Sequence, residues 1–422
     1  MAAARHTLVV LDPGHFHAAL TLRERHPRLA DEIYVYAEDG PDLERFLSVV
    51  QAFNERAESP TRWRTRIYRG TDCLERLVLD RPGDIVVVAG RNDCKMSSIH
   101  ALHAAGLFVL GDKPWLIDPR QLPMLEEVAA SPPVAMDIMT ERHDVANRVQ
   151  RALCGRPEVF GGFRHDDGEP AIHLISVHHL HKMVNGRPLV RPHWYFDVAM
   201  QGEGITDVTT HLVDLAQWMV GGEVFHYARD VELLSARQWT TEVPRAAFFA
   251  VTGLHEFPGH LNDRVKNGVL HLLCNASIDF RLRGVPVRVE SIWALGPPSG
   301  GDTHYARLRG TTADLTIEQN AATNHVPELS VRPTGDSVGG ALRSVIASLQ
   351  REFPGLGMRA ASGEYRIAIP AALRTTHEQH FAKVLDRFLG CVDGDEAPAC
   401  AAADLVSRYT LLARAAEFTR HA

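Results

Sequence analysis

The chain has 422 residues, 45% hydrophobic and 23% charged, an ordinary globular balance that is longer than one compact core holds, so two domains are expected. A formal net charge of −7 without any basic run excludes a nucleic-acid footprint, and no apolar segment reaches the ~20 residues a bilayer span needs. Six scattered cysteines without a C-x-x-C pair favour reduced thiols in a cytoplasm over a disulfide framework or a structural zinc.

Thr7–Leu11 (TLVVL) reads as a buried strand, and the residues around it do not make a secretory signal. DPGHFHAAL follows at once. Set against the dinucleotide fingerprint G-x-G-x-x-G, this turn offers Asp12, Gly14 and His17, so only the middle glycine is kept. Gly14 lets an anion approach a helix N-terminus. Asp12 would repel a pyrophosphate unless its carboxylate turns away, for instance to cap a helix starting near His15. Glu32–Ala37 is the second strand, with Glu38 and Asp39 just past its end. A carboxylate at that place meets the adenosine ribose hydroxyls and disfavours a 2′-phosphate, and no arginine directly follows. An acidic surface turn is the plainer alternative, and spacing does not choose between the two residues.

A helix over Asp42–Phe53, a strand near Arg66–Tyr68 and a helix near Cys73–Leu79 lead to the most informative stretch, Asp84–Trp115. Ile85–Ala89 is an unbroken apolar run, as in a strand buried on both faces. Gly90, Arg91, Asn92 and Asp93 make a loop, and Ile99, Leu102 and Ala105 share a helix face that ends at Gly106. A strand over Leu107–Leu110 then delivers Asp112, Lys113 and Pro114 at its carboxyl edge, where ligands of open α/β sheets gather. A helix around Pro119–Ala130 and a strand over Val134–Met139 complete a doubly wound parallel sheet, placing a Rossmann-type domain in residues 1–140. Thr140 is the expected cap, and Gly155 the expected stop, of the next helix.

Residues 141–422 read as an α+β domain with a large, mostly antiparallel sheet and flanking helices. Expected strands include the segment from Ala171, then Glu232–Ala236, Ala247–Thr252, Val269–Ile278, Val285–Ala294 and Ala313–Glu318, with a loop at Pro297–His304. In AIHLISVHHLHKM, His179 and His181 share one face, with His178 on the other. These histidines with Lys182 suit substrate contact or, with a third ligand from elsewhere, a metal; ordinary packing is the alternative, and no metal is assigned. Arg191, His193, Trp194 and Tyr195 suit a wall for a sugar ring. Near the end, Phe381, Val384, Leu385 and Phe388 fall on one helix face, and Leu405, Tyr409 and Leu412 on another.

Two motifs together carry a family resemblance. The first is Asn92, Ala105-Gly106-Leu107-Phe108-Val109 and Asp112-Lys113-Pro114, which resembles the A-G-x-x-V and E-K-P run of the Gfo/Idh/MocA oxidoreductases, with Asp in place of Glu. The second is Gly202-Glu203-Gly204-Ile205-Thr206-Asp207-Val208-Thr209-Thr210-His211-Leu212-Val213-Asp214, similar to G-G-G-x-L-x-D-x-G-x-H-x-x-D but with Glu203 and Thr209 at two glycine positions. Within that family LDPGHFHAAL, MTERH, SVHHLHK and RPHWYFD are marks of a branch with its own C-terminal domain, so the altered glycine turn is a branch feature.

The resemblance implies a nicotinamide cofactor, NAD ahead of NADP. It would be held by Asp12, Gly14, His15 and Phe16, by Glu38 or Asp39, by Gly90, Arg91 and Asn92, and by Asp112, Lys113 and Trp115. It implies catalysis by Lys113, Asp207 and His211, the last two spaced i, i+4 on one helix face, and substrate contact by His179, His181, Lys182, Arg191, His193, Trp194, Asp207 and His211. The implied reaction is hydride transfer to or from a sugar, polyol or glycoside in a cytoplasmic homo-oligomer without nucleic-acid or membrane partners. Two alternatives remain open: glycoside cleavage by transient oxidation and elimination with no net redox, and non-catalytic sugar binding.

Overall fold

The computed structural model describes residues 6–165, 168–184, 187–222, 224–296, 301–335, 338–395 and 399–421. Residues 297–300 of the expected Pro297–His304 loop lie outside these. The chain forms two compact units. The first comprises Met1–Thr140, Trp194–Gly202 and His377–Ala413; the second comprises Glu141–His193, Glu203–Thr376 and Arg414–Ala422. No helix among the described residues is long and apolar enough to cross a membrane.

The first unit is built on a parallel sheet of β1 (Leu8–Leu11), β2 (Glu32–Ala37), β3 (Arg64–Arg69), β4 (Ile85–Val88), β5 (Phe108–Gly111) and β6 (Ala135–Asp137), ordered β3-β2-β1-β4-β5-β6. LVVL and IVVV are buried along their whole length, as central strands covered on both faces must be. The strand order reverses beside β1, which opens a crevice between the carboxyl ends of β1 and β4. Helix α1 (His17–Thr21) is only five residues long, with Phe16 at its N-cap and no side-chain cap. Asp12 therefore does not cap it, contrary to expectation. The crossovers α2 (Pro41–Glu55), α3 (Cys73–Asp80), α4 (Lys95–Ala104) and α5 (Leu122–Ala130) follow the expected spacing.

Two later stretches complete this unit. The helix His377–Val392 buries Phe381, Val384, Leu385, Phe388 and Leu389 in one core with Leu8, Val10, Ala18, Phe46 and Trp63. In the helix Ala399–His421, Arg408 meets Asp137 at 2.5 Å and the Tyr409 hydroxyl accepts the Trp115 backbone N–H at 3.0 Å. The segment Trp194–Gly202 is pinned by its Met200 carbonyl, which accepts the backbone N–H groups of Asn92 and Asp93 at 3.0 and 3.1 Å.

The second unit carries a ten-stranded sheet of β7 (Ile172–His179), β10 (Val231–Pro244), β11 (Val265–Lys266), β12 (Val269–Leu282), β13 (Val285–Ala294), β14 (Thr303–Arg309), β15 (Ala313–Gln319), β16 (Glu328–Pro333), β17 (Gly357–Ala361) and β18 (Glu364–Ala368). The short β8 (Met183–Val184) and β9 (Arg187–Pro188) form a separate pair. Among the described residues of this sheet only the β7–β13 pairing is parallel. In β13 (VPVRVESIWA) burial alternates at every residue, so one face is core and the other carries polar groups. Ala247–Thr252 is a helix (Arg245–Thr252) and not a strand. Its apolar run has no alternation, Phe248 and Val251 bury at i, i+3, and Gly253 stops it in the left-handed region. Asp144, not Thr140, caps the helix Val145–Cys154 through the N–H groups of Ala146 and Asn147.

Candidate active site

In the first unit the carboxyl edges of β1, β4 and β5 bring together most of the expected cofactor residues. Gly14 sits at a tight turn: a Cβ there would lie 3.0 Å from the Trp194 ring and 3.4 Å from the Asp42 carboxylate. Asp12, with φ of 46°, folds its carboxylate back under Gly90, where any Cβ would collide with it. The acid is thus turned from the turn's open side, and burial raises its pKa, only partly opposed by Arg91.

Glu38 and Asp39 are both exposed at the end of β2, but Asp39 is ion-paired with Arg69 of β3, which also meets Glu44 at 2.9 Å. The arginine absent from the sequence neighbourhood thus arrives from the adjacent strand. Asn92 donates its side-chain N–H to the Gln201 carbonyl at 2.7 Å and accepts from the Lys95 ammonium. Lys95 is fully enclosed, and burial lowers its pKa to about 8 against the pull of Asp112.

At the end of β5, Asp112 is buried and accepts from two rings: His15 Nδ1 at 2.7 Å and His17 Nδ1 at 2.8 Å. Burial opposes its charge, yet His17 and His15 hold the carboxyl well below the usual range. The same burial keeps the imidazoles neutral, pulling His15 down and His17 to about 3. His17 entered the sequence reading only as a lost glycine; its i, i+2 spacing from His15 was the available signal. Lys113 follows, 8% exposed. Trp115, expected beside the cofactor, is fully buried, with Nε1 donating to the Gly111 carbonyl at 3.1 Å, and acts as core.

In the second unit the helix Thr209–Val220 starts two residues after Asp207, so Asp207 lies in the turn before it and His211 in its first turn, not both on one helix as the i, i+4 spacing assumed; both are buried. The departures from the glycine motif have local reasons. Thr209 Oγ1 bridges the Gly204 carbonyl and Ser291 Oγ, each at 2.9 Å, while Glu203 meets Gln238 at 3.0 Å. Gly204 has to stay glycine, because a Cβ would come within 2.5 Å of the Cys274 backbone. Asp214 is held by Arg142 through both oxygens, at 2.6 and 2.7 Å.

At the carboxyl end of β7, His178 and Lys182 converge on Asp302 at 3.1 and 2.5 Å, and the His179 backbone N–H donates to it at 3.2 Å. Burial opposes ionisation of Asp302, but His178, His179 and Lys182 hold it far below the usual carboxylate range. His181 instead faces the Gly296 and Ala247 carbonyls, at 3.3 and 3.5 Å. Arg191 is buried over the Trp293 ring with its guanidinium on the carbonyls of Leu180 and His179, so it braces the strand end. His193 is exposed beside His260, whereas Trp194 packs in the first unit.

Residues 149–420 match the family model described as "Putative oxidoreductase C terminal domain". A crystal structure of a "putative oxidoreductase" from Parabacteroides merdae ATCC 43184 is 37% identical, covers 99% of this chain and 98% of that one, and has a TM-score of 0.94. The chain belongs to the Gfo/Idh/MocA family of oxidoreductases. Other Gfo/Idh/MocA-type structures share the fold at low identity. Levoglucosan dehydrogenase in complex with NADH is 14% identical with a TM-score of 0.60 over 98% of this chain and 97% of that one. A "putative myo-inositol dehydrogenase" from Sinorhizobium meliloti 1021 is 13% identical, with a TM-score of 0.57 and the same coverage. No curated protein matches this Gfo/Idh/MocA chain.

Proposed function

We propose that this oxidoreductase transfers hydride between a nicotinamide cofactor, NAD in preference to NADP, and a carbinol of a sugar, polyol or glycoside. The observation that carries the reading is the gathering of the Gly14 turn and the Asp112-Lys113 pair at the carboxyl edge of the parallel sheet, beside the point where strand order reverses. The residues fit a dinucleotide. Gly14 has no Cβ at the turn, and Glu38 stands exposed past β2 without a partner among the described residues. Bound there, NAD would supply the hydride acceptor.

The chain's own groups do the rest. Glu38 takes ribose hydroxyls and repels a 2′-phosphate. Trp194, set against Gly14, belongs with the cofactor in this reading and not with the sugar. Lys113 donates a hydrogen bond to the reacting oxygen and stabilises its negative charge as the proton leaves. His211, oriented by Asp207, takes that proton as the general base. His179 and Lys182 contact the remaining hydroxyls, whereas His181 is turned to the Gly296 and Ala247 carbonyls and is left out of this set. The NADH complex of levoglucosan dehydrogenase and the likeness to a "putative myo-inositol dehydrogenase" support the cofactor and the substrate class.

Calorimetry with NAD and NADP tests the first half of the proposal, and a panel of sugars, polyols and glycosides tests the second, with NADH absorbance and product mass followed together. NAD binding with stoichiometric NADH is the expected outcome. Failure to bind either dinucleotide overturns the reading, and aryl-glycoside cleavage without NADH replaces hydride transfer by elimination chemistry.

A further inference from the structure

We propose that His15, His17 and Asp112 form a binding site for a divalent transition-metal ion in the first unit. Both imidazoles come from one turn, as His-x-His, and the carboxylate comes from the end of a neighbouring strand. One ligand atom from each residue lies within 4.8 Å of the other two, the only such His/Cys/Asp/Glu group among the described residues. His17 and Asp112 are buried, and the His15 side chain is 15% exposed, which leaves an edge for entry. The rings stand 4.1 Å apart at 69°, so their planes do not stack and the nitrogens are free to converge on a common point.

Chemistry selects the ion. Two imidazole nitrogens and one carboxylate suit zinc, cobalt, nickel or iron(II); magnesium and calcium call for an all-oxygen shell. Both Nδ1 atoms now face Asp112, so a metal bound there replaces the two hydrogen-bonding protons, which move to the far ring nitrogens or to solvent. Lys95 and Lys113 oppose a dication here and Asp12 partly offsets them, which again favours an ion gripped by imidazole over one held by charge alone. The nitrogens now sit 2.7 and 2.8 Å from separate Asp112 oxygens. Metal–ligand bonds of 2.0–2.2 Å in a tetrahedral shell put ligand atoms about 3.3 Å apart, so each nitrogen–oxygen separation has to open by about half an ångström. Three protein ligands leave a further position for water or a substrate oxygen.

The site shares His15 and Asp112 with the residues expected around the cofactor, but its test needs neither substrate nor dinucleotide. Purified protein is analysed for metal before and after chelation, and the metal-free form is titrated with Co2+ while the visible absorption is followed. His15→Ala and Asp112→Asn proteins are carried alongside, with circular dichroism to confirm that they fold. One equivalent of Co2+ with ligand-field bands is expected in the natural chain, weakened at least roughly 10–100-fold in either variant, with no response to Mg2+. Zn2+ should raise the Tm of the natural chain and of neither variant. Absence of the bands, or identical Co2+ spectra and Zn2+ shifts in all three proteins, overturns the site and assigns any binding to surface histidines. NAD calorimetry on the metal-free protein separates the two claims: a bound metal without bound NAD sinks only the cofactor reading.

Discussion

Trp194 donates its indole N–H to the Asp42 carboxylate at 2.8 Å while its ring closes on Gly14. A residue far along the chain thus fixes the width of the β1–α1 turn, and the two positions have to be energetically coupled. Gly14→Ala places a methyl 3.0 Å from the ring and should cost about 1–3 kcal/mol by overpacking. In a Trp194→Ala background that cost should shrink. Urea denaturation of the four proteins in the cycle checks this, and strictly additive costs would show the contact to be idle.

Arg408 and Asp137 form a buried pair at 2.5 Å, joining the last helix to β6. Asp137→Ala leaves the guanidinium buried without its counter-charge and should destabilise the first unit by about 3–5 kcal/mol. A fragment of residues 1–140 lacks Phe381, Leu385 and Phe388 from its core and should fail to fold, whereas the full chain does not. Cooperative unfolding of that fragment would contradict the account.

The parts legible in the sequence were those fixed by neighbours in the chain. IVVV at β4 and the Asp112-Lys113-Pro114 run announce a buried parallel strand and its edge, and the period-two alternation of β13 announces a half-buried one. The β14, β16 and β18 strands escaped because charged and polar residues make up half or more of their short spans, and β17 (GMRAA) because glycine and alanine give it no β-branched or alternating signal. Ala247–Thr252 misled because an apolar run without alternation fits either backbone state, and Pro244 with Gly253 decided for helix. What no local pattern carries is partnership at a distance. Asp302 gathering His178 and Lys182, Arg69 reaching Asp39, and the helix His377–Val392 completing the first core all depend on the finished sheets.

His6 lies between Asp84 at 2.5 Å and Asp393 at 3.0 Å. Burial works against its charge, but hydrogen bonds to both carboxylates prevail and raise its pKa above 6.5. A raised folded-state pKa means that the protonated ring stabilises the fold fully below 6.5 and that this gain disappears as pH rises through the folded value. The stability difference between the natural chain and His6→Gln should therefore be larger at pH 5.5 than at pH 8.5, roughly in line with a partly exposed pair. Paired Tm measurements across that range check it; a gap that widens with pH has the wrong sign.

Glu38 is uncommitted at the end of β2, and Arg69 is already engaged by Asp39 and Glu44. Glu38→Gln should narrow the preference for NAD over NADP by roughly tenfold, the equivalent of about 1.4 kcal/mol. Further replacement of Asp39 by Asn, which leaves Arg69 with Glu44 as its one remaining carboxylate partner among the described residues and removes a second negative charge beside the ribose, should narrow it again. Binding isotherms for both dinucleotides provide the comparison, and an unchanged ratio would remove Glu38 from the ribose site.

Lys113 carries the central claim, since it is the cation that the first unit holds at the carboxyl edge of β5. The decisive measurement is turnover of Lys113→Met beside its NAD affinity, on whichever carbinol substrate the natural chain reduces NAD with. Loss of turnover by orders of magnitude with NAD still bound is the result this account requires. Turnover equal to that of the natural chain would contradict it.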